Sequence, residues 1–381
     1  MMQMSFAGLI PDYDCLTHTT SASADDIFSE DQTQTPNYST AATYSNGTSV
    51  DHVTWSNDTL NVCTVNSTVC WQYMFRGSAN SVVSQWNLVC DRKWIKPVIT
   101  SVQMAGVLVG AVLAGHLGDM FGRKRTNFGF FLLHMFLNVI AGFSTSWEMF
   151  MVLRFCIGFC IGGLLVVLVP YMTEFLPTKW RPLVGAVPMW PLGVVVFAGT
   201  AWLLEDWAYL HLTCAALSAP VMLTYFIIPE SPRWLAVHGR LKEANFVLEK
   251  MAAANGKVVP PYTVGVIEEI SIEATKIEKG GKKYSYWDIL NNFPIAKISI
   301  IFGFQWCAIS IIFYGLSFGV SSFSGNLYLN IALMSIVEIP VHTMTFFLFN
   351  KIGRRWTTFA YFFVGTVAAF ASVVVHYQGI C

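Results

Sequence analysis

Apolar and polar positions fall in long blocks along this chain rather than alternating at short range. Eight mostly apolar stretches lie at Pro97–Leu117, Asn127–Ser144, Met149–Met172, Leu183–Leu204, Trp207–Ile228, Pro294–Val320, Leu327–Phe349 and Thr358–Tyr377. Each is close to the roughly 20 residues that carry a helix across the hydrocarbon core of a bilayer. Backbone polar groups there must be satisfied inside the segment, so each stretch is predicted to be a helix. Met1–Ile10 is apolar but too short to span, and it lacks the basic flank and small-residue cleavage site of a signal peptide. It is expected to be the remnant of a first helix.

Two hydrophilic blocks interrupt the apolar ones. Residues 11–96 are rich in Ser, Thr and Asn, and residues 229–293 divide the fifth stretch from the sixth. Within the second block, Leu241, Ala244, Val247, Leu248 and Met251 recur at helical spacing and stop at Asn255-Gly256. Ile267, Ile270, Ala274 and Ile277 repeat the pattern. Two amphipathic helices are expected, suited to a membrane surface, to the cytoplasmic face of a bundle, or to a solvated linker.

Basic residues set the orientation, because Lys and Arg near span ends are held on the cytoplasmic side. Arg123, Lys124 and Arg125 follow the first stretch, Lys179 and Arg181 the third, and Lys351, Arg354 and Arg355 the seventh, whereas the intervening connectors carry no Lys or Arg. Residues 11–96 are therefore expected outside. Four N-glycosylation sequons, at Asn37, Asn46, Asn57 and Asn66, fall in that block. So do four of the nine cysteines, Cys15, Cys63, Cys70 and Cys90, an even number on an oxidising side that leaves three pairings open.

Composition agrees with a membrane chain. Only 12% of the 381 residues are charged, against about a quarter in soluble domains, and 54% are hydrophobic. The 23 basic and 23 acidic residues cancel, so there is no electrostatic case for nucleic acid. The sequence has no Gly-x-x-x-x-Gly-Lys-Ser/Thr loop for a nucleotide, no metal-ligand spacing and no nucleophile motif. Neither cofactor nor enzymatic chemistry is expected; the partners expected are a small organic ion and the lipid bilayer.

The loop Gly115-His-Leu-Gly-Asp-Met-Phe-Gly-Arg-Lys-Arg125 joins two spans and sets Asp119, Gly122, Arg123 and Lys124 at a cytoplasmic helix end. It resembles the signature loop of the major facilitator superfamily. A weaker copy, Asn350-Lys-Ile-Gly-Arg-Arg355, follows the seventh stretch with Gly353, Arg354 and Arg355 in register and Asn350 where the family commonly has Asp. Two copies in corresponding places imply repeated halves. Trp86-Asn-Leu-Val-Cys-Asp91, Pro229-Glu-Ser-Pro-Arg-Trp-Leu235 and Val337-Glu-Ile-Pro340 together resemble the organic cation, anion and carnitine transporters of solute carrier family 22.

That resemblance implies an all-α polytopic membrane protein with the major facilitator fold, incomplete here at about 8 full spans of 12. Numbered on the family, residues 1–10 are the remnant of span one, 11–96 the external glycosylated and disulfide-bonded loop, and 97–228 spans two to six. Residues 229–293 are the cytoplasmic linker and 294–381 spans seven to nine.

Ionisable groups inside spans are costly and therefore functional candidates. Glu338 lies near the middle of family span eight, with His342 four residues on along one helical face. The resemblance gives a carboxylate at the Glu338 position a part in cation recognition, and anion carriers often place Lys at the position of His342. Trp306, Ser310, Phe313, Tyr314 and Ser317 share one side of span seven, where aromatic faces attract amines by cation–π contact. Leu165 and Val169 stand where cation carriers of the family tend to place aromatics.

Arg154, followed at helical spacing by Gly158 and Gly162, resembles the arginine of the superfamily's span-four motif. Asp119, Arg123, Glu174, Arg181, Glu230 and Arg233 form an alternating charged set at span ends that the resemblance makes a gate between halves. The function expected is plasma-membrane transport of organic cations or carnitine-like zwitterions by alternating access. Organic anions are one alternative, and a non-transporting membrane glycoprotein that modulates a full-length relative is another.

Overall fold

A computed structural model describes residues 8–16, 63–65, 68–69, 72–75, 80–279, 286–319 and 326–377. The chain divides into two compact units, Gly8–Lys96 and one containing Pro97–Cys381.

In the first unit, β1 (Tyr13–Leu16), β2 (Thr64–Val65), β3 (Thr68–Val69) and β4 (Gln72–Phe75) form two antiparallel pairs, β1 with β4 and β2 with β3. The Tyr13 ring meets Tyr73 edge-on at 5.6 Å, an aromatic cross-strand contact that fixes the β1–β4 register. Ser81 and Ser84 cap the short α1 (Val82–Gln85) reciprocally. Cys63 and Cys90 form a disulfide, as one of the three pairings open to the sequence has it. Cys70, the side chain of Cys15, the four sequon asparagines and residues 1–7 lie outside the described residues.

The second unit is helical: α2 (Ile95–Phe121), α3 (Arg123–Gly142), α4 (Trp147–Glu174), α5 (Leu183–Ala186), α6 (Met189–Leu204), α7 (Trp207–Met222), α8 (Pro232–Val237), α9 (Leu241–Ala254), α10 (Tyr262–Lys279), α11 (Tyr286–Asn291), α12 (Phe293–Gly319), α13 (Leu327–Lys351) and α14 (Arg354–Tyr377). Polar residues start the long helices where the sequence changes from polar to apolar. Ser146 accepts the Met149 N–H, Asp206 those of Ala208 and Tyr209, and Asn326 those of Tyr328 and Leu329.

Among the described residues, seven helical segments are long and apolar enough to cross a membrane. The expected span at Asn127–Ser144 is not one of them. It falls on α3, whose Asn127, His134 and Asn138 lower its hydropathy. The expected Leu183–Leu204 helix is also modified: it breaks at Val187-Pro188, where Val187 is extended and proline supplies no N–H, giving α5 and α6.

Glycines set the closest packing. Gly106 and Gly110 on α2 face Gly158 and Gly162 on α4, each lying against the other helix's backbone. A Cβ at these positions would stand 2.2, 1.9, 2.2 and 2.1 Å from the carbonyl oxygens of Phe155, Phe159, Gln103 and Val107. Such small-xxx-small pairs let apolar helices approach where water gives no hydrophobic drive. Around them Ala114, Phe130, Cys160 and Val167 form one buried cluster, while Val194, Ala198 and Ala201 of α6 pack with Leu210 of α7 and Ile331 of α13 in another.

The amphipathic helices pack on each other within the linker. Ala244 and Val247 of α9 and Ile267 of α10 close a small core on Leu235 and Ala236 of α8. Their apolar stripes therefore face each other and α8.

Candidate functional site

The first constellation joins the signature loop to the Pro229–Leu235 segment. Gly122 breaks α2 from α3 with a φ of 103°, a conformation that favours glycine, and carries no side chain to cap α3. Glu230 supplies that cap from 106 residues away: its carboxylate accepts the Lys124 backbone N–H at 3.0 and 3.2 Å, and the Ser231 N–H at 2.9 Å. A Cβ on Gly122 would stand 2.5 Å from Glu230 Oε2, so a side chain there would push the capping carboxylate aside as well as strain φ.

Ser231 caps α8 by accepting the Trp234 N–H. The Trp234 indole N–H then donates to the Asp119 carbonyl at 2.8 Å, satisfying the end of α2, and the Tyr171 hydroxyl donates to Pro229 O. The Lys124 ammonium lies 4.2 Å over the Tyr225 ring. Burial lowers its pKa, and the Glu230 carboxylate opposes that shift.

The expected charged set divides. Arg123 pairs with Asp119 at 2.6 Å and lies 3.8 Å from Glu174, and Gly118 sits beneath its guanidinium. A Cβ added at Gly115 would meet only Val166, in ordinary van der Waals contact. Arg181 bonds the Leu176 carbonyl, while Arg233 is exposed and in no salt bridge among the described residues. None of the described salt bridges reaches residues 294–377; those of Arg123 join α2, α3 and α4, and the hydrogen bonds of Glu230, Trp234 and Tyr171 tie these helices to the linker.

The second loop repeats part of this geometry. Gly353 has φ 95°, and Thr357 N–H bonds the Gly353 carbonyl as Thr126 N–H bonds that of Gly122. Both threonines are buried. Arg354 and Arg355 are exposed, and no distant carboxylate corresponding to Glu230 accepts from this loop among the described residues.

A second constellation lies between α12 and α13. Phe313, Leu316, Ser317, Ile331, Met334, Ser335 and Glu338 line a mostly apolar cavity of about 90 Å³. The two hydroxyls are turned back on their own helices, Ser317 to Phe313 O at 2.7 Å and Ser335 to Ile331 O at 3.0 Å. The Glu338 carboxylate is half-buried and has no hydrogen bond or salt bridge among the described residues; His342 is within electrostatic reach.

Of the other expected pocket residues, Trp306 is exposed, and Ser310 and Tyr314 do not line the cavity. His342 turns elsewhere, its Nδ1 lying 2.9 Å from the Gly185 carbonyl.

A third grouping was not anticipated beyond Arg154. Arg154 is fully buried over the Phe150 ring at 4.8 Å, within electrostatic reach of His134 and His211. His211 Nδ1 meets Asn138 Oδ1 at 3.0 Å, and Asn138 Nδ2 donates to His134 O at 2.8 Å. Phe150 and Trp207 set ring edges against His211, and Gln103 is buried beside Gly158. The signal was available: His134 and Asn138, one turn apart, and His211 interrupt otherwise apolar spans.

The helices, the interlocked glycines and the capped signature loop define a multi-pass membrane protein of the major facilitator fold. Its solved structural neighbours include the proton:xylose symporter XylE bound to 6-bromo-6-deoxy-D-glucose, with TM-score 0.55 at 17% identity over 70% of this chain and 61% of that one. The partially occluded inward-open xylose transporter XylE from E. coli gives 0.51 at 15% identity, covering 70% and 64%.

The chain belongs to the sugar (and other) transporter family, which matches residues 3–379, and that family consists of transporters rather than enzymes. Among curated proteins it is similar to solute carrier family 22 member 13 of Homo sapiens, at 32% identity over 75% of this chain and 51% of that protein. It is also similar to member 7 of Rattus norvegicus, at 29% over 75% and 54%. The organic cation transporter protein of Drosophila melanogaster gives 29% over 80% and 57%. The chain spans about half the length of these relatives.

Proposed function

We propose that this chain takes part in moving small organic ions, organic cations or carnitine-like zwitterions, across the plasma membrane by alternating access. The observation that carries the reading is Glu338, an acid without a salt bridge among the described residues, set in a cavity otherwise lined by four apolar or aromatic side chains and two serines whose hydroxyls bond their own helices. A carboxylate held away from water attracts a cation strongly. Phe313 on the facing helix offers a ring to the same cation. The relative named an organic cation transporter protein points the same way. The symmetric pair of glycine loops, Gly122 and Gly353, suits two helix blocks that rock about a central site.

The test is uptake of radiolabelled tetraethylammonium, carnitine and benzoate, by this chain and by a chain extended with the remaining spans of a relative. Saturable uptake of either of the first two, lost in E338Q, supports the proposal. Preferential benzoate uptake that survives E338Q would replace it with the organic-anion reading. Transport by neither chain, with altered uptake by a co-expressed relative, would favour the modulating glycoprotein.

A further inference from the structure

We propose that His342 is a positioning residue that closes the cytoplasmic side of the seam between α13 and the helices that precede the linker. A carbonyl oxygen only accepts, so the 2.9 Å contact with Gly185 O requires the proton on His342 Nδ1. That bond joins residues 157 apart, from α13 to α5. One turn further along α13, Phe346 stacks on Trp180 with ring centroids 5.8 Å apart and planes 24° from parallel.

Trp180 lies on the basic loop that the sequence assigns to the cytoplasm, and Gly185 in the short helix that follows it, before the Val187-Pro188 break. His342 lies nine residues before Lys351, or about 13 Å along a helix. Toward the opposite end of α13 the seam is apolar, with Ile331 against Val194, Ala198 and Ala201. An apolar interface of this kind slides at little cost, whereas a hydrogen bond to a backbone carbonyl is made or broken at one position.

His342 sits one turn from Glu338 on the same helix, so the seam and the cavity share a rigid element. Moving α13 away from α5 moves Glu338 with it. The inference rests on the alternating-access reading above but not on the identity of the substrate, because the contact lies between parts of this chain. An interhelical hydrogen bond inside a membrane protein shifts a two-state equilibrium by about 3-fold to 30-fold.

The experiment places spin labels on cysteines introduced at the exposed positions Lys179 and Lys351, with Cys156, Cys160, Cys214, Cys307 and Cys381 replaced by Ala. Distances between the labels are read by pulsed electron resonance in lipid nanodiscs, without any need for transport. The parent should give a dominant short-distance population. H342A should raise the long-distance population within that 3-fold to 30-fold range, and H342N, whose amide donor occupies the place of Nδ1, should restore the parent distribution. Should H342A not yield monodisperse protein, H342F keeps the ring and deletes the donor. Superimposable distributions for the parent and the donor-deleted variant would overturn the proposal, as would an H342N distribution no closer to the parent. Uptake by E338Q tests the substrate reading separately, because the label distances of the His342 variants are read without transport.

Discussion

Replacing Gly110 with Ala tests the packing of α2 on α4. On backbone grounds alone the substitution should stabilise, because Ala is favoured over Gly inside a helix by about 1 kcal/mol. The structure reverses that sign. The new Cβ would stand 1.9 Å from Phe159 O, 2.7 Å from its carbonyl carbon and 2.9 Å from its Cα, all backbone atoms that cannot rotate away. A contact of at least 3.0 Å requires the helices to part by about 1 Å, which also loosens Gly106 on Phe155 and Gly158 on Gln103. Overpacking of this kind costs about 1–3 kcal/mol, and a rigid neighbour puts the cost at the upper end. The net expectation is a loss of about 1–2 kcal/mol, read as a lower melting temperature by fluorescence-detected size exclusion in detergent. Gly199, in α6 with nothing within 4 Å of its Cβ, is the control, and G199A should hold or raise the melting temperature. If G110A stabilised the protein as G199A does, the close approach of α2 and α4 would be refuted.

Three further outcomes follow from the site. E230Q keeps the shape of the α3 cap but removes its charge, so it should cost about 1 kcal/mol in the same melting assay, and E230A more. D119N weakens an ion pair whose acid is 67% exposed, so it should change stability by less than about 1 kcal/mol while still reaching the cell surface. A melting loss several times larger would mean that the Asp119–Arg123 pair carries more of the fold than its exposure allows. Non-reducing peptide mapping should recover Cys63 linked to Cys90, and a Cys63 linked elsewhere would contradict the arrangement of the external unit.

The spans were legible because the bilayer imposes one length and one polarity on every helix that crosses it. That same rule hid what departs from it. α3 is a full-length helix whose polar residues are not errors of pattern: Asn138 is buried and bonded to His211, so the helix hides its polar stripe against α7. Leu183–Leu204 is apolar throughout and read as one helix, yet Val187-Pro188 splits it. Proline's missing N–H was visible in the sequence, but the apolar run concealed its effect.

Partners distant in sequence were the least legible. The signature loop and the Pro229–Leu235 segment were each recognisable, but nothing in their spacing says that Glu230 caps α3 or that Trp234 closes the end of α2. Gly158 and Gly162 stand out by their helical spacing from Arg154, while Gly106 and Gly110, their counterparts, become meaningful only when two helices are laid together. Glu338 stood out from chemistry alone. That His342 bonds a carbonyl on another helix instead of facing the cavity is set by how α13 packs on α5, which no local pattern encodes.

The most direct test of the account is uptake of tetraethylammonium and carnitine by E338Q against the unsubstituted chain, at matched surface expression, in this chain and in its extended form. Loss of a charge-assisted contact of about 1.5–3 kcal/mol predicts uptake down by roughly 10-fold to 100-fold. Benzoate handling should be no better than in the parent. Undiminished cation or carnitine uptake in E338Q would contradict the assignment of the α12–α13 cavity as the organic-ion site.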